Sequence, residues 1–304
     1  MISIAIATYN GDKFLREQLE SIYNQSLLPD EVIVSDDCST DNTIAILQEY
    51  KEVHGLKFYV NSQNLGFTKN FEKAISMCSG EYVLISDQDD IWLPDKIRTL
   101  YNALREKERQ YPNHPGLICS HTINIDEMGN ELVRTETKEK GWDYLLYGHF
   151  TQGCTIIMNR QLIDLTLPFP DGIMYDVYIG MVAAMCGFWY NIGLPLVKYR
   201  THANNVMNRI GNKHQWQGVL PYIIGESRFA TMRFIENHCG HCFLSYKKPL
   251  FDEIKNLRNT SNIFKRILKV ILFKHKPLSI KLRSIVMILS EKISEMIKKH
   301  PPKT

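Results

Sequence analysis

Tyr82-Val83-Leu84-Ile85-Ser86-Asp87-Gln88-Asp89-Asp90-Ile91-Trp92 turns from an apolar run into a knot of carboxylates within a few residues. The run 82–85 has the length and β-rich composition of a buried strand. Carboxylates crowded at its end repel one another, so the arrangement does nothing for folding by itself. A cation is expected beside them, and a divalent metal suits oxygen ligands best. Asp87-Gln88-Asp89 is also a D-x-D, with both carboxylates on one side of an extended chain. Asp90 is assigned to the turn that follows. The stretch points to metal-assisted chemistry on a phosphate-bearing substrate.

Outward from it, the first 120 residues alternate between two periodicities. Residues 2–7 read as a short apolar strand, and 12–25 carry Phe14, Leu15, Leu19 and Ile22 at helical spacing. Residues 31–35 form the next strand. Ser39-Thr40-Asp41 supplies capping side chains before a helix carrying Ile44, Ile46 and Leu47. A strand at 57–60, a helix at 67–77 and a strand at 81–85 complete the series. Repeated βα units of this length predict an α/β fold with a doubly wound, mostly parallel central sheet. Ligands in such sheets bind beyond the carboxyl ends of the strands, where Thr8-Tyr9-Asn10, Asp36-Asp37 and Asp87-Gln88-Asp89 all fall. A helix from Pro94 to about Gln110, a strand at 117–120, a hairpin-like stretch at 126–130 and the segment 151–158 follow.

Composition sets the limits. The 304 residues are 44% hydrophobic and 23% charged, an ordinary globular balance. Seven scattered Cys read as buried thiols, which fits a reducing cytoplasm. Met1-Ile2-Ser3-Ile4 enters a strand-like run with no basic region before it, so no secretory signal is expected. Residues 177–197 carry no charge, but Gly180, Gly187, Asn191, Gly193 and Pro195 interrupt them. They read as a buried helix to about Cys186 and then a buried strand, rather than a membrane span. The net charge of +3 conceals a tail from Thr260 with 11 Lys/Arg against two acids, net +9, which leaves −6 for the rest. A basic tail on an acidic body calls for an anionic partner.

Ile4-Ala5-Ile6-Ala7-Thr8-Tyr9-Asn10-Gly11, Glu31-Val32-Ile33-Val34-Ser35-Asp36-Asp37-Cys38-Ser39-Thr40-Asp41, Asn64-Leu65-Gly66 and the acidic stretch occur in an order and at intervals that resemble the family-2 glycosyltransferases. The Asp-Gln-Asp-Asp-Ile-Trp form is similar to bacterial rhamnosyltransferase-like members. The resemblance covers roughly residues 1–205. It implies an inverting enzyme with the GT-A nucleotide-diphospho-sugar fold, a dTDP- or UDP-sugar donor (dTDP-L-rhamnose among them), and Mn2+ or Mg2+ as cofactor. By the family pattern Asp89 binds the metal and Asp87 sits near the ribose. Ala7, Thr8, Tyr9, Asn10, Asp36, Asp37, Asn64, Gly66, Asp87 and Gln88 are the donor-binding set. Tyr9 has a ring to stack on a base, and Asp37, with Asp36 as the near-equal alternative, has a carboxylate for an imide N–H.

An inverting displacement needs a base on the face opposite the diphosphate. Asp176 stands where the family's base begins a helix, although Tyr175 precedes it where an acid is common; Asp171 is the second candidate. His202, in Tyr199-Arg200-Thr201-His202, is the further metal ligand that the fold implies, and Arg200 reads equally as a phosphate contact or a surface charge. His238-Cys239-Gly240-His241-Cys242 is too tight a run to wrap zinc. Residues 1–210 are expected to form the catalytic domain (1–120 the nucleotide-sugar half, 121–210 the acceptor half), with 211–304 a helical extension. Lys265, Arg266, Lys269 and Lys274 beside 263–273, and the stripe Leu282, Ile285, Val286, Leu289, Ile293 and Met296, form basic amphipathic helices. These suit the inner face of the cell membrane, near a lipid-linked or growing surface glycan as acceptor, and not nucleic acid. The competing readings are a sugar-phosphate nucleotidyltransferase, which would carry a Gly-rich, basic first loop that Thr8-Tyr9-Asn10-Gly11-Asp12 lacks, and a non-catalytic membrane scaffold, which the intact acids oppose.

Overall fold

The computed structural model describes residues 1–134, 145, 151–202, 226–249 and 252. These fall into two compact units: the described residues up to 134 with Thr151–Thr201, and the remainder. The first unit opens with β1 (Ile2–Thr8), α1 (Asp12–Tyr23), β2 (Glu31–Asp36), α2 (Thr43–His54), β3 (Lys57–Val60), α3 (Phe67–Ser76) and β4 (Tyr82–Ser86). It continues through β5 (Ile91–Trp92), α4 (Lys96–Gln110), β6 (Gly116–Ile125) and β7 (Glu131–Arg134). A short 3-10 turn (Gly153–Thr155), β8 (Ile156–Asn159), α5 (Arg160–Thr166), α6 (Tyr175–Cys186) and β9 (Phe188–Arg200) close it. In the second unit, α7 (Glu226–Cys239) leads into a 3-10 turn.

The sheet runs β3-β2-β1-β4-β8-β6-β9-β5, with β7 paired on β6. Its first four strands are parallel, Ile4 lying between Val32 and Leu84. Ile4, Ile6, Val34, Leu84 and Ile85 are fully buried, as expected of central strands covered on both faces. Leu15, Leu19 and Ile22 of α1 and Leu47 of α2 supply cover. Beyond β4 the sheet is mixed: β8 is antiparallel to β4 and β6, β6 and β9 run parallel, and β5 is antiparallel to β9.

The chain lays β2 and β3 on one side of β1 and then returns to lay β4 on the other. That reversal opens a crevice at the carboxyl ends of β1 and β4, the place where doubly wound sheets bind ligands. The uncharged segment 177–197 is explained by burial, since α6 is buried almost all round and β9 enters the sheet. Among the described residues no helix is long and apolar enough to cross a membrane. The expected boundary near residue 210 and the basic helices from residue 260 lie outside the described residues.

Candidate active site

Three strand ends meet at the crevice, and the first two are tied into one hydrogen-bonded frame. Thr8 Oγ1 donates to Asp36 Oδ2 at 2.8 Å, and the Asp37 N–H donates to the Thr8 carbonyl at 2.8 Å. Asn10 takes a left-handed φ of 47°, which Asn tolerates better than most residues. Its side chain accepts the Thr40 N–H at 2.8 Å, while its own N–H donates to Ser39 Oγ. Ala7 is half-buried within β1. Tyr9 stays 44% exposed.

Asp36 is fully buried and accepts from Thr8, the Ser39 N–H and Ser39 Oγ. Asp37 accepts from Asn61 Nδ2 (2.9 Å), the Leu65 N–H (2.7 Å) and the Gly66 N–H (2.9 Å). A carboxylate offers about four acceptor positions, so Asp37 retains one on Oδ2. Gly66 adopts φ 79° and ψ 158°, a region that side-chain-bearing residues avoid. Asn64 braces the same turn by donating to the Asp37 carbonyl at 3.1 Å and accepting the Gly66 N–H.

The third strand end differs. One oxygen of Asp87, one of Asp90 and the Cys154 sulfur lie within 4.8 Å of one another; among the described residues this is the gathering of three such ligand atoms, and Asp89 is outside it. Asp87 and Asp89 are half-buried. Asp90 lies in the turn between β4 and β5, as read from the sequence, and is fully buried there, its Oδ1 accepting the Arg200 N–H at 3.1 Å as β9 passes. Its Oδ2 has no hydrogen-bond partner among the described residues. Burial first, then the neighbouring carboxylate of Asp89, pushes Asp90 up to about 7. Burial and the charges of Asp90, Asp89 and Asp176 push Asp87 well above the usual carboxylate range.

Asp176 begins α6 and is 7% exposed. Burial raises it to about 6, against the pull of the Val177 N–H (2.8 Å) and the Gly153 N–H. Asp171, the other candidate base, is 93% exposed and pairs with Lys69 at 3.4 Å. Tyr175 turns into an aromatic cluster with Phe71 (4.7 Å) and Phe169 (6.0 Å) and packs on Gly153, where a Cβ would meet its hydroxyl. His202 is half-buried and falls in the second unit. In that unit His238 stacks on Phe234 at 3.8 Å, and the run His238–Cys242 makes no three-ligand group among the described residues.

Two residues at the site escaped the sequence reading. Lys96 is wholly buried, donates to the Cys154 carbonyl at 2.6 Å and lies 3.3 Å from the centre of the Trp92 ring. Burial lowers its ammonium to about 7, against the pull of Asp90 and Asp87. A lysine at the first position of a helix, where the dipole disfavours cations, was the signal available. Cys154 gave none, since a buried thiol looks like any small apolar residue. Arg200 is neither a surface charge nor free for phosphate. It is 2% exposed, donates to the carbonyls of Asp89 and Glu127, and pairs with Glu17 at 2.5 Å.

Buried, mutually repelling acids with an unsatisfied oxygen fit a cation. The gathered carboxylate oxygens of Asp87 and Asp90 suit a hard divalent one. Residues 3–164 match the model of the family described as glycosyl transferase family 2. The chain is 30% identical over 217 residues to a protein named dTDP-rhamnosyl transferase from Shigella flexneri, covering 66% of this chain and 72% of that one. It is 33% identical over 190 residues to a chondroitin synthase of Escherichia coli, 59% of this chain but only 26% of that much longer protein. Among solved structures, the S. aureus TarS 1-349 complex with UDP-GlcNAc superposes with a TM-score of 0.62 at 19% identity, covering 98% of this chain and 91% of that one. The Pyrobaculum calidifontis mannosyltransferase complex with GDP-Man and Mn2+ gives 0.59 at 16%, covering 99% and 88%. Likeness at such identities speaks for the fold.

Proposed function

The chain belongs to glycosyl transferase family 2 and is a glycosyltransferase of the GT-A fold, and from that premise we propose that it is an inverting, metal-dependent enzyme moving a sugar from a dTDP- or UDP-sugar to a hydroxyl of a bacterial surface glycan or lipid-linked oligosaccharide. The observation that carries this reading is the buried acid Asp176, close enough to the strand-end acids to raise Asp87 through its charge. Asp87 and Asp89 would hold Mn2+ or Mg2+. When bound, that ion neutralises charge developing on the departing diphosphate.

The chain's own residues supply the rest. Tyr9 stacks on the base, and the acceptor position left on Asp37 Oδ2 takes an imide N–H, which selects uracil or thymine. Asp36, Asn10, Asn64 and Gly66 hold those groups in place. Asp176, the candidate base, removes the acceptor hydroxyl proton; a carboxylate raised to about 6 is a stronger base than an exposed one and is still ionised near neutrality. The name of the Shigella relative favours a dTDP-sugar, and the UDP-GlcNAc complex of TarS keeps UDP open. Thermal-shift measurements across dTDP-, UDP- and GDP-sugars with Mn2+ test the donor class, because a bound donor stabilises the fold. Stabilisation by GDP-sugars alone overturns the base assignment.

We assign residues 1–210 to catalysis and the basic segment beyond residue 260 to an anionic membrane surface at the cytoplasmic face, on charge and periodicity alone. Changing Lys265, Arg266 and Lys269 to Glu should release the protein from anionic vesicles. Unchanged co-sedimentation overturns the membrane assignment.

A further inference from the structure

β1 and β4 pair in parallel only as far as Ile6 and Ser86. Beyond that point a side chain takes over from the backbone. Gln88 Oε1 accepts the Tyr9 N–H at 2.8 Å, and Gln88 Nε2 donates to the Tyr9 carbonyl at 3.2 Å. One carboxamide therefore serves both polar groups of a single residue, as a facing strand would. Glu lacks the donor, and Asn is a methylene too short. Gly11 backs the bridge from the other side: a Cβ there would lie 2.3 Å from Gln88 Oε1 and 2.5 Å from its Cδ. Its φ of −108° suits any residue, so what requires glycine at position 11 is the carboxamide.

We propose that Gln88 is a positioning residue that locks the loop bearing Tyr9 to the loop bearing Asp87 and Asp89, so that the base-binding and diphosphate-binding ends of the donor site move as one body. This rests on the donor-site reading above and moves Gln88 from a donor contact to a bridge between the loops that make those contacts.

Calorimetric titration of the full chain with UDP and with dTDP, in the presence of Mn2+, tests it. Gln88→Ala weakens the better nucleotide roughly ten-fold, the scale of two neutral hydrogen bonds. Gly11→Ala gives a similar loss by displacing the carboxamide. The double variant binds no worse than Gln88→Ala alone, since the atoms that the new methyl would meet are gone. In a Tyr9→Ala background, Gln88→Ala costs under about two-fold, because the ring being positioned is absent. This second pair carries the test by itself if Gly11→Ala fails to fold. Wild-type affinity in Gln88→Ala, or losses that multiply in the Tyr9 pair as for a direct donor contact, overturn the bridge while leaving the donor site standing. Failure of the wild type to bind either nucleotide overturns the donor-site reading and the bridge with it.

Discussion

Two groups of carboxylates gather around the strand ends of one sheet, and the fold treats them in opposite ways. Asp36 and Asp37 after β2 are buried, but each accepts three hydrogen bonds from neighbouring loops. Asp87 and Asp90 are pressed together with an oxygen of Asp90 unsatisfied, Asp176 acts on Asp87 through its charge, and all three hold protons well above the usual range, chiefly through burial. The first pair forms a frame and the second a floor. Satisfied acids preorganise; unsatisfied ones wait for a cation and a substrate. The contrast predicts that removing a floor acid costs activity, whereas removing a frame acid costs stability.

The largest effect should come from Asp89→Ala, which loses transfer by roughly a thousand-fold, the scale of several kcal/mol of charge neutralisation, while the protein still folds. A folded variant with full activity would take Asp89 out of the metal site. Next, Asp176→Asn should lower turnover by about 10²–10⁴ while the nucleotide dissociation constant holds. In the wild type, turnover should climb as pH rises through about 6, as the base loses its proton. A flat profile across that interval, or an unaltered rate in the variant, would take Asp176 out of the chemistry.

Asp37→Ala belongs to the frame. It leaves the N–H groups of Leu65 and Gly66 without their acceptor, so denaturant unfolding should show a loss of roughly 3 kcal/mol. If it instead keeps its stability and loses turnover only, frame and floor are not distinct. Asp87→Asn should be the mildest, raising the melting temperature of the metal-free protein by a few degrees through relief of repulsion. pH acts in the same sense. Asp176 at about 6 and Asp90 at about 7, against an ordinary 3.8, bind protons more tightly folded than unfolded. Metal-free stability therefore falls as pH rises from about 4 to 7. Lys96, lowered to about 7 from 10.5, returns stability as pH climbs further, which places a minimum near neutrality that calorimetry can locate.

The frame was largely legible in the sequence, and the floor only at its rim. Strand and helix positions through residue 110 follow from local periodicity, so β1 to β4 and the ligand-facing ends of β1, β2 and β4 could be read directly. Asp87 and Asp89 stood out because acids after an apolar run are conspicuous, and Asp176 because it precedes the long uncharged run 177–197. The burial of Asp90 was not legible because it is decided by β9, which arrives 110 residues later and offers the Arg200 N–H. Cys154 and Lys96 meet through a long-range hydrogen bond that no local pattern encodes. The burial of Arg200 likewise depends on Glu17, Asp89 and Glu127, which its own neighbourhood in the sequence does not reveal.

Arg200 also sets a clock. Its partners Glu17 and Asp89 leave the ribosome long before it does, the first by 183 residues. At roughly 5–20 residues per second, the 110 residues between Asp90 and Arg200 take on the order of 5–20 s to synthesise. During that interval the nucleotide half can already pair its parallel strands, yet the loop after β4 lacks the strand and the guanidinium that seat it. A nascent chain is therefore expected to hold a folded frame while the loop after β4 waits for Arg200 to seat it.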